Sequence, residues 1–215
     1  MSDESGSDTG DVPGVGRPEP VAGHRFAVVD VETSGLEPDR HHVLQVGVVL
    51  VDGDGVVLDR WSSLVGPRSR WFFRVGPTHI HGIHRRDLRG APPAAEVFTE
   101  LARRLTGATF VAHNAPFDLA FLRSEATRLR MSLPIDAPLC TLRLSRSLDP
   151  ERTRSHRLAD LCERYHIDLT RPHDALADAD ATAALLPHLL HEHGIATVGQ
   201  LPVLGDDGVQ RRRAS

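Results

Sequence analysis

Residues 26–36 read Phe-Ala-Val-Val-Asp-Val-Glu-Thr-Ser-Gly-Leu, a short apolar run that ends in two acidic residues. Phe and Val favour extended backbone, so the run predicts a buried strand at 26–31. Side chains two positions apart on a strand share a face and lie about 6.6 Å apart along it. The carboxylates of Asp30 and Glu32 therefore lie on the same face of the strand, and they repel each other unless a cation lies between them. The alternative is an acidic pair at a strand end that faces water.

Two more apolar runs, 43–52 and 56–65, flank a Gly-Asp-Gly turn and predict a hairpin. Downstream, apolar runs of strand type alternate with segments of helical periodicity. Three consecutive strands followed by alternating helices and strands predict an α/β fold, with a mixed central sheet flanked by helices. The further elements expected are strands at 108–112 and 137–140, and helices at 93–105, 116–129, 158–165 and 174–192.

The composition fits one globular domain in 215 residues, of which 40% are apolar and 25% charged. No apolar run approaches the roughly 18 to 20 residues of a membrane span, and the N-terminus is acidic, so we expect neither a membrane protein nor a Sec-exported one. Cys140 and Cys162 form neither a Cys-x-x-Cys metal pair nor a disulfide framework. We therefore expect a cytoplasmic protein.

The sequence divides into three parts by composition. Residues 1–23, rich in Gly, Ser, Asp and Pro, predict a disordered acidic tail; 24–193 form the folded domain, and 194–215 a C-terminal extension. The net charge of -4 is carried entirely by residues 1–20, which hold five acidic residues and one arginine. Residues 21–215 are neutral overall, so charge does not exclude a polyanionic partner such as nucleic acid.

Acidic residues also mark two predicted helix starts. Residues 113–118, His-Asn-Ala-Pro-Phe-Asp, place Asp118 in the first turn of a helix that follows a strand. Residues 173–180, His-Asp-Ala-Leu-Ala-Asp-Ala-Asp, open the long helix with a histidine and acids within about one and a half turns. The alternative at both places is helix capping or stabilisation of the helix dipole.

Helix geometry separates the three acids of the long helix. Asp174 and Asp178 are four residues apart and share a face, whereas Asp180 is rotated about 200° from Asp178. We therefore expect Asp180 to face away from the site. We expect Asp174 to stabilise the helix dipole at the N-terminus of the helix.

Taken together, the motifs resemble the DEDDh branch of the DnaQ-like exonucleases, the family of the proofreading epsilon subunit of bacterial DNA polymerase III. The acids and the histidine follow that family's order, Asp, Glu, Asp, His, Asp. The resemblance implies a ribonuclease H-like fold. The matching stretches, which span most of residues 25–190, are VVDVETSGL, IHGI, VAHNAPFDLAFL, HRLADLCERYHI and HDALADADAT.

The resemblance implies that Asp30, Glu32, Asp118 and Asp178 bind two metal ions. Asp30 would bridge both ions, Glu32 and Asp178 would complete the first site, Asp118 would hold the second, and His173 would be the general base. Oxygen ligands without a Cys cluster favour Mg²⁺ or Mn²⁺. Two such ions about 3.5 to 4 Å apart stabilise in-line displacement at phosphorus. An imidazole with a pKa near 6.5 can accept the proton of the attacking water.

Substrate contacts follow from the same resemblance. The main chain at Thr33 would approach the terminal nucleotide, and the side chain of Leu36 would wedge against the last base. Phe117 and the turn at His81 would line the same pocket, with Asn114 as a polar contact.

Two further segments could bind partners. Residues 68–74 interleave arginines with Trp71, Phe72 and Phe73, a combination that binds phosphates and stacks bases; the alternative is that the rings pack in the core. Residues 200–204, Gln-Leu-Pro-Val-Leu, resemble the peptides that dock on the bacterial sliding clamp, although an ordinary C-terminal turn is the alternative. The arginines at 211–213 could bind phosphate or lie in solvent.

The function expected is metal-dependent 3′-to-5′ exonuclease activity that releases nucleoside 5′-monophosphates from DNA, single-stranded or frayed, in proofreading or repair. One alternative is an exoribonuclease acting on short RNA or tRNA ends, which shares the catalytic residues. Another is a non-catalytic accessory of a polymerase or clamp, although such a protein would not require all five catalytic-type residues.

Overall fold

The structure, a computed structural model, describes residues 18–67, 74–202 and 204. Most of the expected N-terminal tail, the arginine and aromatic residues at 68–73 and the arginines at 211–213 lie outside the described residues. Among the helices of the described part, none is both long and apolar enough to cross a membrane.

A mixed five-stranded sheet forms the centre of the structure, as predicted. The strand order is β3-β2-β1-β4-β5. β1 pairs antiparallel with β2, and β2 with β3, whereas β1–β4 and β4–β5 are parallel. The strands are β1 (Phe26–Thr33), β2 (Val43–Val51), β3 (Val57–Leu64), β4 (Thr109–Ala112) and β5 (Leu139–Cys140).

The four predicted helices are present, and two short ones, α1 and α4, appear that the sequence did not predict. α1 has four residues, and α4 has seven and starts directly after β5, at Thr141, so neither offers a long periodic pattern. A 3₁₀ turn at Val198–Gln200 ends the described fold. The helices are α1 (Thr78–His81), α2 (Ala94–Leu105), α3 (Ala115–Leu129), α4 (Thr141–Ser147), α5 (Leu158–Arg164) and α6 (Ala175–Glu192).

The two faces of β1 pack against different helices. Ala27, Val29 and Val31 belong to the core cluster that contains buried residues of α2 and α3. Phe26 and Val28 belong to the opposite cluster, which contains the buried leucines of α6. Because side chains alternate along a strand, residues 30 and 32 continue the row that faces α6. The two acids thus extend an apolar row at the point where the strand ends.

The folded body begins earlier than composition predicts. Val21 is 8% exposed and lies in the α6 cluster, and its N–H donates to the carbonyl oxygen of Ala196 at 2.9 Å. Pro20 also pairs with Thr197 as an isolated bridge. The expected tail of 1–23 is therefore too long, because a single valine among Pro and Gly gives no periodic signal.

In the segment expected to resemble a clamp-binding peptide, the side chains of Gln200 and Leu201 make contacts within the fold, and residue 203 lies outside the described residues. The Gln200 side-chain oxygen accepts hydrogen bonds from the N–H groups of Ala196 and Thr197, at 2.8 and 3.0 Å. Leu201 packs against the α6 cluster. Since both side chains are used within the fold, the alternative of an ordinary C-terminal turn is the better description of Gln200 and Leu201.

Candidate active site

Asp30 and Glu32 lie at the end of β1, on the face covered by α6. In the β1–β2 register, Asp30 is opposite Gly47 and Glu32 is opposite Gln45. Burial, followed by the negative charges of Asp118, Asp178, Glu32 and Asp174, raises the pKa of Asp30 well above its usual value. The structure thus places the first acid among the other predicted carboxylates.

Glu32 shares this environment. Its pKa is raised to about 8, first by burial and then by the charges of Asp178 and Asp174. A carboxylic acid with such a pKa holds a proton at neutral pH unless a cation stabilises its charge.

The start of α6 packs directly on β2. A Cβ atom at Gly47 would lie 2.2 Å from the carbonyl oxygen of Ala175, so only glycine leaves room for this contact. The Gln45 side-chain oxygen accepts a hydrogen bond from the Ala175 N–H at 3.4 Å. This close packing brings the first turn of α6, including Asp178, next to Glu32.

His173 and Asp178 complete this side of the site. One atom each from Glu32, His173 and Asp178 lie within 4.8 Å of one another. His173 adopts left-handed backbone, with φ 65°, and its N–H donates to Asp178 Oδ2 at 3.0 Å. Burial raises the pKa of Asp178, while this hydrogen bond and the His173 charge oppose the rise. The His173 side chain remains exposed and free to meet a ligand.

Asp118 approaches from α3, in the first turn, where the sequence placed it. It is 3% exposed, and burial raises its pKa well above the usual range. Hydrogen bonds with the main chain of Asp118 itself and of Val31 oppose the rise, whereas the charge of Glu32 adds to it. Asp118 therefore belongs to the same electrostatic cluster as the acids of β1.

The donor set suits hard divalent cations. Burial, and then the charges of neighbouring carboxyl groups, raise the pKa values of four carboxyl groups from β1, α3 and α6. Oxygen ligands of this kind favour Mg²⁺ or Mn²⁺, and the charge of such ions removes the repulsion among the carboxylates.

The other two acids of the long helix have different partners. Asp174 caps α6, accepting a hydrogen bond from the Ala177 N–H at 3.1 Å, as expected for a residue at the helix N-terminus. Asp180 turns to the opposite side and pairs with Arg60 of β3 at 2.6 Å. The helix geometry therefore separated Asp178 from Asp180 correctly.

The predicted substrate residues differ in exposure. Leu36 is 80% exposed, so its side chain is accessible to a ligand. Thr33 is buried, and its hydroxyl donates to the Gly35 carbonyl at 2.7 Å, so this side chain shapes the turn. Asn114 is exposed in left-handed backbone, and Phe117 is half-buried with its ring 5.0 Å from that of Phe121.

His81, whose turn was expected to line the substrate pocket, uses both of its ring nitrogens within the fold. Its ring is 7% exposed; Nδ1 accepts from the Ile83 N–H and Nε2 donates to the Val75 carbonyl, both at 3.0 Å. Burial lowers its pKa, in keeping with a neutral ring. With both nitrogens bonded to the main chain, His81 holds the loop at 75–83 in shape and offers no nitrogen to a nucleotide.

The loop that His81 holds lies against the turn after β1. Gly76 has φ 71°, and a Cβ atom there would lie 2.3 Å from the carbonyl oxygen of Ser34. The loop at 75–83 thus forms a wall beside residues 33–36.

Sequence reasoning missed the residues that hold this site together. Gly47 interrupts an apolar strand, which is the usual signal of close backbone approach, and Gln45 is the polar residue of the same strand. On the other side, Arg128 donates to the His41 carbonyl at 2.9 Å and pairs with the buried Glu125 at 2.8 Å. These contacts hold the loop after Leu36 against α3.

Most of the chain matches known proteins. A family model described as Exonuclease matches residues 27–186. The chain is 33% identical over 172 residues to DNA polymerase III PolC-type of Bacillus cereus, and 34% over 191 residues to that of Lacticaseibacillus paracasei. These alignments cover 80% and 86% of the chain but only 12% and 13% of the polymerases. The chain therefore spans only a small part of these relatives' length.

Solved structures share the fold. Exonuclease X, solved with 5′ overhanging duplex DNA, has a TM-score of 0.62 and 26% identity, with 80% of this chain and 94% of that chain covered. Escherichia coli exonuclease I, solved with a dT13 oligonucleotide, has a TM-score of 0.70 and 21% identity, covering 80% and 42%. A 3′-exonuclease that recognises a histone mRNA stem-loop has a TM-score of 0.69 and 15% identity, covering 89% and 91%.

These likenesses confirm the expected ribonuclease H-like fold, and the family match covers most of the chain. The chain belongs to the DnaQ-like 3′-to-5′ exonuclease family.

Proposed function

We propose that this protein hydrolyses phosphodiester bonds from the 3′ end of DNA, single-stranded or frayed, and releases nucleoside 5′-monophosphates. The observation that carries the proposal is the convergence of the carboxyl groups of Asp30, Glu32, Asp118 and Asp178 beside the exposed His173. Three separate elements deliver these groups to the end of β1, and a cluster of mutually repelling acids has a stability cost that a purely structural role does not explain.

Asp30, Glu32, Asp118 and Asp178 would hold two divalent ions, Mg²⁺ or Mn²⁺. When bound, the ions stabilise negative charge on the attacking and leaving oxygens of the phosphodiester. Asp30, which interacts with all three other carboxyl groups, is the ligand that both ions would share.

His173 is the general base in this proposal. Its imidazole is exposed, lies against Glu32 and Asp178, and projects from left-handed backbone fixed by the hydrogen bond to Asp178. A neutral ring nitrogen there accepts the proton of the attacking water. The main-chain constraint keeps the ring near the reacting phosphate without occupying a ring nitrogen.

The exposed Leu36 and the half-buried Phe117 would hold the terminal nucleotide by contacting its base and sugar. Such apolar contacts favour an unpaired end because they need a base that has left its stack. Thr33 supports this pocket through the turn that it stabilises.

DNA is the favoured substrate because the related segments belong to DNA polymerases and the exonuclease X complex contains DNA. RNA is the second candidate, since the acids and the histidine act on the phosphate and not on the sugar. A polymerase partner follows from the same relatives, and a cytoplasmic location from the cysteine usage.

A time course with 5′-labelled single-stranded DNA and RNA of the same sequence tests the proposal, with Mg²⁺ or Mn²⁺ and with EDTA. We expect a ladder that shortens from the 3′ end, requires the metal and disappears in Asp30→Ala. The DNA-to-RNA rate ratio identifies the substrate. Failure of the folded, metal-loaded protein to cleave either strand would overturn the proposal and favour a non-catalytic accessory.

A further inference from the structure

A cleft lined by arginines opens beside the end of β4, and none of the four carboxylates lines it. Its volume is about 560 Å³, and we call it the arginine cleft. Leu142 and Leu158 contribute apolar wall, and His113 forms its inner end. The cationic lining residues are Arg146, Arg152, Arg154 and Arg157.

The guanidinium groups of the arginine cleft are available to an anion. All four arginines are exposed, and none forms an ion pair with another residue that the structure describes. Elsewhere the described arginines are often paired, as Arg60 is with Asp180 and Arg128 with Glu125. Four unpaired cations around one cleft repel one another, and a polyanion relieves that repulsion.

Arg146 lies in α4, and the other three arginines lie in the loop that follows it, which has a fixed backbone. Asp149 accepts hydrogen bonds from the N–H groups of Thr153 and Arg154, at 3.2 and 2.9 Å, and these bonds are among the causes that lower its pKa to about 2. His156 Nε2 lies 3.2 Å from Asp149 Oδ2, the oxygen that also accepts from the Arg154 N–H. His113 Nε2 donates to the His156 carbonyl at 3.1 Å and ties the loop to the end of β4. The arginines are thus presented from a preorganised support.

The arginine cleft adjoins the candidate active site. β1 and β4 are neighbouring parallel strands, and their last paired residues are Val28 and Val111. Asp30 and His113 each lie two residues beyond that pair, at the same edge of the sheet, where neighbouring strands are about 5 Å apart. A strand held with its 3′ end at Asp30 can therefore continue past His113 into the cleft.

We propose that the arginine cleft binds the phosphodiester backbone of the strand on the 5′ side of the reacting linkage. The inference rests on the proposed function for the position of the 3′ end. Phosphates are recognised in the same way in DNA and RNA, so the cleft fits both backbones, while Leu142 and Leu158 contact sugars or bases. The cleft would give the protein affinity for a strand and leave the chemistry at the carboxylates unchanged.

Binding measurements test the cleft without turnover. Fluorescence anisotropy in EDTA compares a labelled oligothymidylate and a labelled oligouridylate, each of about 20 nucleotides. For the double variant Arg152→Ala/Arg154→Ala we expect Kd to rise about tenfold at low salt. The slope of log Kd against log salt should fall by about 1.4, because each single-strand phosphate contact contributes about 0.7.

Arg123→Ala is the matched control, because Arg123 is exposed on α3 and forms no ion pair with another described residue. We expect its Kd and salt slope to equal those of the wild type. A loss of affinity for either polymer in the double variant, but not in the control, supports the proposal. Unchanged affinity and slope for both polymers would overturn it.

A substrate without upstream phosphates distinguishes a loss of strand binding at the cleft from structural damage to the active site. The p-nitrophenyl ester of thymidine 5′-monophosphate reaches the carboxylates but not the cleft. We expect the double variant to hydrolyse the ester like the wild type, while its kcat/KM on the oligonucleotide falls about tenfold through KM. An equal loss on both substrates would show a structural role instead. If the wild type cleaves neither, the proposed function fails, and the anisotropy measurement still decides the cleft.

Discussion

Gly47 lies directly opposite Asp30 in the β1–β2 register, and the space of its missing side chain is filled by the main chain of Ala175. One residue therefore sets the distance between the strand that carries Asp30 and Glu32 and the helix that carries Asp178. The main chain of β2 thus sets the position of the start of α6, with Asp178, relative to Asp30 and Glu32 of β1.

Gly47→Ala tests this spacing. The added Cβ would clash with main chain and not with a flexible side chain, so the start of α6 must move. We expect a loss of about 1 to 3 kcal/mol in the free energy of unfolding, the usual cost of overpacking. We also expect kcat to fall about 100-fold, because displacement by about 1 Å has that effect on a catalytic group.

Gly199→Ala is the control for this change, because nothing lies within 4 Å of a Cβ at that position. Urea unfolding and the exonuclease time course measure both effects. Wild-type stability and rate in Gly47→Ala would show that α6 is not held by this contact.

The strongly patterned elements of the fold could be predicted from the sequence. β1 and β2 are rich in β-branched residues, the first turn of α3 contains Pro116, and Asp174 is the N-cap of α6; both are recognisable helix-start residues. The short helices α1 and α4 were not predicted: α1 is a single turn, and α4 follows β5 without an intervening loop, so neither is separated from its neighbours by a sequence signal.

The acids of the site were predictable because the order of the motifs is informative. The residues that position these acids were not predictable. The contact between Gly47 and Ala175 joins residues that are far apart in the chain, and no local signal identifies the partner. His81 is a similar case. The resemblance implied that its turn lines the substrate pocket, but the hydrogen bonds of its two ring nitrogens to the main chain of Val75 and Ile83 are visible only in the three-dimensional structure.

The acids of α6 give a matched pair of variants. Asp178→Asn removes a proposed metal ligand beside Glu32, and we expect kcat to fall at least about 100-fold. Asp180→Asn removes a partly exposed pair with Arg60, which is worth at most about 1 kcal/mol, and we expect activity within twofold of the wild type. Rates on labelled oligothymidylate at saturating Mg²⁺ measure both, and similar losses in the two variants would contradict the assignment of Asp178.

Zn²⁺ gives a separate test of the position of His173. Zn²⁺ binds imidazole nitrogen together with carboxylate oxygen, and Glu32, His173 and Asp178 offer that set within 4.8 Å. We expect His173→Ala to weaken Zn²⁺ binding about 100-fold in competition with a chromogenic chelator. His191→Ala, an exposed histidine at the far end of α6, should bind Zn²⁺ like the wild type. Equal affinity in all three proteins would place the Zn²⁺ elsewhere.

His113 makes stability depend on pH. Burial lowers its pKa to about 4, and its ring nitrogens contact Thr141 Oγ1 and the His156 carbonyl at 3.0 and 3.1 Å. The unfolded chain takes up a proton at this histidine near pH 6.5, and the folded chain only near pH 4. The contribution of His113 to the free energy of unfolding is therefore fully present above pH 6.5 and is lost as the pH falls towards 4. Between pH 7 and pH 5 the loss amounts to about 2 kcal/mol.

The variant His113→Gln isolates this contribution, because its amide can donate to the His156 carbonyl but does not titrate. We expect His113→Gln to be less stable than the wild type at pH 7, since it fits the site less well, and the difference to shrink by about 2 kcal/mol at pH 5. Urea unfolding at the two pH values gives both numbers. If the difference in the free energy of unfolding stays constant with pH, the folded protein also binds a proton at His113 in this range. The site formed by Thr141 and His156 would then tolerate a charged ring.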